Sequence, residues 1–150
     1  MESNKSQIFI REAGKDDLKE IKSLLDNVYL PFVDIEKHLV HFLVLEENGN
    51  IIGTIGAEFY RDTVLLRSLA VDKGYQNKGY GKDLYNALIS KIKKMNANKI
   101  YLLTETAEGF FNKLGFQKTA RESAPPAIRQ TYEFSTLCPN GAVCMVKNLN

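Results

Sequence analysis

The chain alternates between short apolar runs and segments in which apolar residues recur every three or four positions. The second pattern is typical of one face of an α-helix, and its clearest set lies near the N-terminus: Leu18, Ile21, Leu25 and Val28. Pro31 ends this predicted helix. Apolar runs at residues 8–10 and 42–45 predict a strand on either side of it, with a shorter helical segment at residues 34–39.

A predicted hairpin follows the second of these strands. Asn48-Gly49 separates two apolar runs and is a strong signal for a tight turn between antiparallel strands. We therefore predict a partner strand at residues 51–60. Gly53 and Gly56 within that strand indicate that other groups pack closely against its backbone.

The second half of the chain alternates strands and helices, as a β-α-β unit does. In order, we predict a strand at residues 63–71, a helix from about Lys82, a strand at 99–104, a helix at 106–114, and strands at 116–118 and 142–147. Gly115 stands where a left-handed helix C-cap belongs, residues 123–127 are predicted as a loop, and residues 128–134 fit neither period. The order predicts one α/β (α+β) domain over residues 1–150, with a mixed, mostly antiparallel central sheet flanked by helices.

Composition and charge exclude several classes of protein. Apolar residues make up 44% and charged residues 25% of the 150, which suits one globular domain. The net charge of +2 comes from 20 basic and 18 acidic residues without a long charge run, so we expect no nucleic-acid or membrane partner. The N-terminus lacks the apolar core of a signal peptide, and no apolar run approaches the roughly 18 residues of a membrane span. We expect a cytoplasmic protein.

The chain contains two cysteines, Cys138 and Cys144. A disulfide is not expected in the cytoplasm, and two thiols alone do not complete a tetrahedral zinc site. His38 and His41 lie far from both cysteines in the sequence. We therefore expect two free thiols and no bound metal.

The segment that carries chemistry follows the predicted strand at residues 63–71. A loop at residues 74–81, rich in glycine and polar residues, opens the amphipathic helix that starts near Lys82. Such a loop directs several backbone N–H groups to one point, where the helix dipole adds partial positive charge. Gly79 and Gly81 allow the main chain to approach a phosphate closely. Additional side-chain donors are Gln76, Lys78 and Lys82. The expected ligand is a diphosphate, although the dinucleotide and Walker patterns are both absent.

This segment resembles the signature of the GNAT superfamily of N-acetyltransferases. That signature reads Gln/Arg-x-x-Gly-x-Gly/Ala after a strand with Leu-x-Val. Gln76, Gly79 and Gly81 fill the first part, and Leu69 and Val71 fill the second. The resemblance covers about residues 8–118. It implies the acyl-CoA N-acyltransferase fold, with a sheet splayed between its middle strands, and direct transfer of acetyl from acetyl-CoA to an amine in a ternary complex.

The same resemblance implies roles for individual residues. Main-chain amides of the loop would hold the acetyl-CoA pyrophosphate, and those of the preceding strand would bind the pantetheine arm. The amide of Leu69 would also take a catalytic role, polarising the thioester carbonyl as an oxyanion-hole donor. The implied cofactor-binding set is Leu69, Ala70, Val71, Gln76, Asn77, Lys78, Gly79, Tyr80, Gly81 and Lys82.

A narrower resemblance bears on the acceptor. Residues 101–116 resemble the acetyltransferase domains of N-acetylglutamate synthases. Residues 65–71 and 128–139 resemble small acetyltransferases found with arsenic-resistance genes. Both groups imply an amino acid or an analogue as the small-molecule acceptor. The candidate substrate-binding residues are Arg67, Thr104 and Arg129. For Arg67, a clamp on a substrate carboxylate and a salt bridge with an acidic neighbour are both open.

Catalytic side chains are less clearly indicated. A base that neutralises the amine is expected, with Glu105 as the first candidate, acting through water, and Glu58 as the second. Many superfamily members carry a tyrosine where this chain has Phe111, and phenylalanine cannot protonate a departing thiolate. The alternatives for that proton are water, Tyr75, Tyr80 and Tyr132.

Other functions stay open at this point. A peptide, polyamine or drug amine as acceptor would keep the chemistry and change the substrate. A regulatory module that binds CoA without turnover would be consistent with Phe111. The C-terminal segment could also pair across a homodimer.

Overall fold

The computed structural model describes residues 7–137 and 141–149 of the chain. The strands are β1 (Ile8–Glu12), β2 (Phe42–Glu47), β3 (Asn50–Tyr60), β4 (Thr63–Val71), β5 (Lys99–Thr104), β6 (Gln117–Lys118) and β7 (Val143–Asn148). The α-helices are α1 (Leu18–Asn27), α2 (Ile35–His38), α3 (Tyr80–Lys94), α4 (Glu108–Lys113) and α5 (Pro126–Arg129). Among these described residues, none of the helices has both the length and the apolar character that a bilayer-spanning helix needs.

The seven strands form one sheet in the order β1-β2-β3-β4-β5-β7-β6. Strands β4 and β5 run parallel, whereas β1–β2, β2–β3, β5–β7 and β6–β7 are antiparallel pairs. The predicted mixed, mostly antiparallel sheet flanked by helices is confirmed. In the part of the chain that the structure describes, the β4–β5 ladder joins residues 63–65 to residues 99–101, and both strands continue beyond it.

The β2–β3 connection forms as the Asn-Gly pair predicts. Asn48 and Gly49 have φ values of 51° and 88°, so both adopt the left-handed conformation that a type I′ turn requires. The turn sets the register that pairs Glu47 with Asn50. The pairing shifts by one residue at an irregularity between Leu45 and Glu46, so the turn sets the register only at the hairpin end.

Helix boundaries follow the apolar periodicity, with several departures. Helix α1 ends at Asn27, so Val28 lies outside it and the helix stops before Pro31. Helix α3 begins at Tyr80, two residues before the predicted start, so Gly81 lies inside its first turn. The predicted loop at residues 123–127 instead contains the start of α5, because Pro126 occupies the first helical turn, where its missing N–H costs nothing. Residues 128–134, which fitted neither period, lead into a π-helical turn at Glu133–Leu137.

The chain divides into two compact units. The first comprises Met1–Ala57 and Ser68–Ser90, and the second comprises Glu58–Arg67 and Lys91–Asn150. The single domain over residues 1–150 stays a prediction. A buried cluster of the first unit contains Ile21, Leu24, Leu25, Ile35, Phe42, Val44, Ile51 and Ala70. A cluster of the second contains Leu65, Tyr101, Ala124, Ile128, Phe134 and Cys144.

Close packing against β3 explains its glycines. A Cβ added at Gly56 would lie 2.3 Å from the Phe42 ring, and one added at Gly53 would lie 3.1 Å from Leu84 and 3.2 Å from Leu45. No side chain fits at Gly56 unless Phe42 moves. The two glycines therefore bring the first unit's side chains directly against the strand backbone, as the sequence predicts.

Candidate functional site

The loop between β4 and α3 is held by its own side chains. The Gln76 side-chain amide donates to the Val71 carbonyl at 2.9 Å, which ties the loop to the end of β4. The Asp72 carboxylate accepts from the Lys73 N–H at 2.8 Å and caps a short 3-10 turn. Gln76 was predicted to donate to a ligand, and in this structure its side-chain amide donates to the main chain at the end of β4.

The left-handed residues of this loop turn the chain into α3. Gly79 has φ +88° and Asn77 has φ 64°. The Gly79 carbonyl accepts from the Asp83 N–H at 3.1 Å, which is the first helical hydrogen bond of the turn. The N–H groups of residues 80–82 precede that bond, so they belong to the set that a helix leaves without an intrahelical acceptor. They are the donors of the candidate anion site.

The surroundings of Gly79 suit a phosphate. A Cβ added there would meet no atom within 4 Å, so the space beside the glycine is open and only its backbone conformation demands glycine. Lys78 and Lys82 are exposed on either side of it. Oriented N–H groups, the dipole of a 15-residue helix and two flanking ammonium groups all favour a multiply charged anion.

Strand β4 contains a conformational feature that the sequence did not reveal. Ser68 has φ 61°, a left-handed conformation that costs a non-glycine residue about 1–2 kcal/mol. It lies within β4 directly before Leu69, the predicted oxyanion-hole donor. Leu69 and Val71 are half-buried, and Ala70 between them is buried. A serine in an apolar strand does not indicate a left-handed residue, so the sequence analysis did not predict this conformation.

Arg67, just before that point in the chain, lies in a buried ionic cluster of the second unit. Its Nη1 is 2.7 Å from Glu58 Oε2, and its Nη2 is 3.7 Å from Glu133 Oε2. The Tyr60 hydroxyl donates to the other Glu58 oxygen. The side-chain exposures are 0% for Arg67, 1% for Glu58 and 7% for Glu133. The salt-bridge alternative for Arg67 is thus present in the structure, and Glu58, the second candidate base, is its partner.

The remaining candidates lie on separate elements of the second unit. The Thr104 hydroxyl oxygen accepts from the Ala107 N–H at 2.9 Å and closes the turn before α4. Glu105 is exposed in that turn. Arg129 is exposed on α5, where its Nε donates to the Ala124 carbonyl at 2.9 Å and so fixes the guanidinium orientation. The structure therefore brings Arg67 and Glu58 together and places Thr104 beside Glu105, with Arg129 on another element.

Phe111 is part of an aromatic cluster. The Phe111 ring is buried and packs edge-to-face against Phe110 at 5.1 Å and Phe116 at 5.5 Å between centroids. It contributes to an aromatic core and has no polar group to offer. Among the alternatives, the Tyr75 hydroxyl donates to Glu47, and this hydrogen bond raises the pKa of Tyr75. Tyr75 therefore releases its proton less readily than an ordinary tyrosine.

Of the two cysteines, the structure describes Cys144. Cys144 is a buried free thiol, and desolvation by burial raises its pKa to about 11. A thiol protonated at neutral pH is a poor nucleophile and a poor metal ligand. Cys138 lies outside the described residues.

Comparison with known proteins identifies the family of the chain. The family described as "Acetyltransferase (GNAT) family" matches residues 9–116. An uncharacterized N-acetyltransferase of Chlorobaculum tepidum is 31% identical over 121 residues, which cover 77% of this chain and 76% of that protein. An amino-acid acetyltransferase of Neisseria meningitidis is 27% identical over 134 residues, 83% of this chain. The match spans only 31% of that protein's length.

A solved structure shows the same fold. N-acetylglutamate synthase from Neisseria gonorrhoeae, complexed with coenzyme A and N-acetyl-glutamate, is similar with a TM-score of 0.83 at 22% identity. The similarity covers 99% of this chain and 36% of that one. The similarity shows a shared fold with a protein whose solved structure contains coenzyme A.

Proposed function

The chain belongs to the acetyltransferase (GNAT) family, and on that premise we propose that it transfers acetyl from acetyl-CoA to the amine of an amino acid or an amino-acid analogue. The observation that carries the coenzyme part is the left-handed Gly79 turn at the start of α3, with its outward N–H groups. The acceptor class is supported by the similarity to an amino-acid acetyltransferase.

We assign the coenzyme to the first unit's loop and strand. The N–H groups of residues 80–82 donate to the diphosphate, and Lys78 and Lys82 add long-range attraction. The main chain of Leu69–Val71 runs beside the pantetheine arm, with Gln76 holding the loop to the end of that strand. When bound, acetyl-CoA supplies an acyl group activated as a thioester.

The transfer step needs little from side chains in this assignment. The neutral amine forms an N–C bond to the acetyl carbonyl while the C–S bond breaks, and the amine proton passes through water to Glu105. The Leu69 N–H stabilises the charge that develops on the carbonyl oxygen, a contribution of about 3–4 kcal/mol for such donors. A thiol with a pKa of about 8.5 can depart as the thiolate near neutral pH. The step therefore needs no proton donor at the position of Phe111.

We assign the acceptor's carboxylate to the second unit. Arg67 carries a guanidinium, a group that can hold a carboxylate through two parallel hydrogen bonds, and in this structure it is buried against Glu58 and Glu133. Thr104 retains its hydroxyl proton for donation, because its oxygen is the acceptor in the turn to Ala107. Arg129 is the exposed cation whose orientation is already fixed by the Ala124 carbonyl, and it suits a second carboxylate on the acceptor.

A thiol-release screen tests the proposal. The protein is mixed with acetyl-CoA and L-glutamate, its analogues, organoarsenical amino acids, polyamines or peptides, and free thiol and N-acetyl product are followed. We expect release with amino acids, and less release from Glu105→Gln than from Glu122→Gln, which removes an exposed carboxylate elsewhere in the second unit. Calorimetric binding of CoA with no thiol released from any amine would support the regulatory module instead. Release of free thiol with polyamines or peptides, and with no amino acid, would contradict the proposal that the acceptor is an amino acid.

A further inference from the structure

We propose that a surface cavity of the second unit binds a small zwitterion with an apolar side chain, namely an apolar α-amino acid. The cavity has a volume of about 400 Å³ and is lined by residues 60–63, at the turn from β3 to β4, and by residues 125–127, at the start of α5. Both segments belong to the second unit. Neither has a part in the coenzyme or acceptor assignments, so the inference goes beyond the proposed function and does not depend on it.

Both walls of the cavity are held by main-chain hydrogen bonds. On the turn side, the Asp62 carbonyl accepts from the Asn98 N–H at 2.9 Å. On the α5 side, the Pro125 carbonyl accepts from the N–H groups of Ile128 and Arg129, each at 3.0 Å. The volume lies in the range of about 300–1,000 Å³ that small-molecule sites have. A ligand would therefore enter a formed cavity and would not have to order its walls.

The walls themselves are mostly apolar. Pro125, Pro126 and Ala127 carry no polar side-chain group, and the Tyr60 ring is half-buried against the second unit's cluster. The Tyr60 hydroxyl already donates to Glu58, so the part of this side chain left for a ligand is the ring. An aliphatic or aromatic ligand side chain gains free energy by leaving water for such a surface.

Two opposite charges stand at the turn. Arg61 and Asp62 are both exposed, and neither takes part in an ion pair within the described part of the chain. The Asp62 carboxylate accepts one hydrogen bond, from the Thr63 hydroxyl at 3.2 Å. A simple anion would be attracted by Arg61 and repelled by Asp62, and a simple cation the reverse. An α-amino acid carries a carboxylate and an ammonium group on one carbon atom, so it complements both charges.

The backbone at Arg61 is strained where it lines this cavity. Arg61 is the first of the two residues between β3 and β4, and its φ is 60°. That left-handed conformation suits glycine and, less well, asparagine or aspartate, whereas arginine adopts it at a cost. Strained residues of this kind are concentrated at functional sites. The strain, the unpaired guanidinium and the cavity coincide at one residue, which makes Arg61 the ligand's carboxylate partner in our assignment.

Calorimetric titration with L-phenylalanine tests the proposal, without acetyl-CoA so that no transfer takes place. Three matched ligands each lack one feature: L-phenylalaninamide lacks the carboxylate, N-acetyl-L-phenylalanine lacks the ammonium group, and L-serine lacks the apolar side chain. We expect L-phenylalanine to bind and each of the three to bind about tenfold more weakly, as the loss of one charge-assisted or apolar contact predicts.

The decisive variant is Arg61→Gly. It should weaken L-phenylalanine binding about tenfold and leave L-phenylalaninamide binding unchanged, because the amide has no carboxylate for Arg61 to hold. Its urea midpoint should equal or exceed that of the wild type, since glycine adopts φ 60° without strain. Arg61→Lys keeps the charge and should bind L-phenylalanine within about threefold of the wild type. Lys113→Gln removes an exposed cation on α4 and should change nothing.

If Arg61→Gly does not fold, Arg61→Gln replaces it, because it removes the charge and keeps a long side chain. Equal affinity of the wild type and the folded variant for L-phenylalanine overturns the inference, since the ligand then lies elsewhere. A wild type that binds none of L-phenylalanine, L-leucine and L-methionine at millimolar concentration, or that binds the amide as tightly as the amino acid, also overturns it. None of these results bears on acetyl transfer, and a negative thiol-release screen does not bear on this site.

Discussion

The placement of the diphosphate beside Gly79 predicts that a negative charge at this position weakens coenzyme binding far more than a neutral side chain of the same size. The matched pair is Gly79→Asp and Gly79→Asn. Both side chains enter open space, since an added Cβ meets no atom within 4 Å. Both must adopt φ near +88°, which costs an L residue about 1–2 kcal/mol but is least unfavourable for Asn and Asp. The two variants therefore differ in charge alone.

The size of the effect follows from Coulomb's law. Two unit charges 4 Å apart interact by about 4 kcal/mol at the dielectric typical of a protein surface. Gly79 is exposed and salt screens such pairs, so we expect about half of that, ~2 kcal/mol, to survive at physiological ionic strength. A difference of ~2 kcal/mol means that the CoA dissociation constant of the Asp variant should be about thirty times that of the Asn variant.

Calorimetric titration with CoA measures this ratio directly, and urea denaturation shows whether the two variants are equally folded. The control pair is Gly74→Asp and Gly74→Asn, in the same loop and also in open space but without a positive φ. At Gly74, the CoA dissociation constant of the Asp variant divided by that of the Asn variant should be several times smaller than the same ratio at Gly79. Equal CoA affinity of Gly79→Asp and Gly79→Asn in folded proteins would show that the phosphates do not lie beside this residue.

Three further predictions concern stability. Gly56→Ala should lower the free energy of unfolding by about 1–3 kcal/mol in urea, because its Cβ would lie 2.3 Å from the Phe42 ring, and an unchanged midpoint would contradict the packing described. Arg67→Ala should lower the free energy of unfolding by about 3–5 kcal/mol, since it leaves Glu58 buried without this cation. A decrease under about 1 kcal/mol would show that the Arg67–Glu58 ion pair contributes little to stability. Burial raises the Cys144 pKa from 9.0 to about 11, so the folded state holds this proton more tightly than the unfolded state. Relative to Cys144→Ala, the wild type should therefore keep its stability below pH 9 and lose part of it as the pH rises to about 11; a difference that does not vary with pH would contradict the burial argument.

Elements defined by local patterns were predictable from the sequence. The apolar spacing of α1 and the Asn48-Gly49 turn depend on neighbouring residues only, and the predicted strands at residues 63–71 and 99–104 coincide with β4 and β5. The glycine loop was equally accessible, because the strand before it and the helix after it fix its place in the chain. Its detailed geometry, with left-handed Asn77 and Gly79, is consistent with that prediction.

Features that depend on distant parts of the chain were not predictable. An arginine in an apolar strand shows that Arg67 needs a partner, but nothing in the sequence identifies Glu133, which follows 66 positions later on a π-helical turn. Serine has no preference for the left-handed conformation that Ser68 adopts, so the sequence does not indicate it. The start of α5 at Pro126 was missed because proline favours both loops and first helical turns.

The central claim is that the main-chain N–H groups at the start of α3 hold the coenzyme's diphosphate. A crystal structure of the protein with CoA tests it most directly. We predict diphosphate oxygens within about 2.7–3.2 Å of the backbone nitrogens of residues 80–82. Phosphate density elsewhere on the protein, with those nitrogens covered by protein side chains, would contradict it.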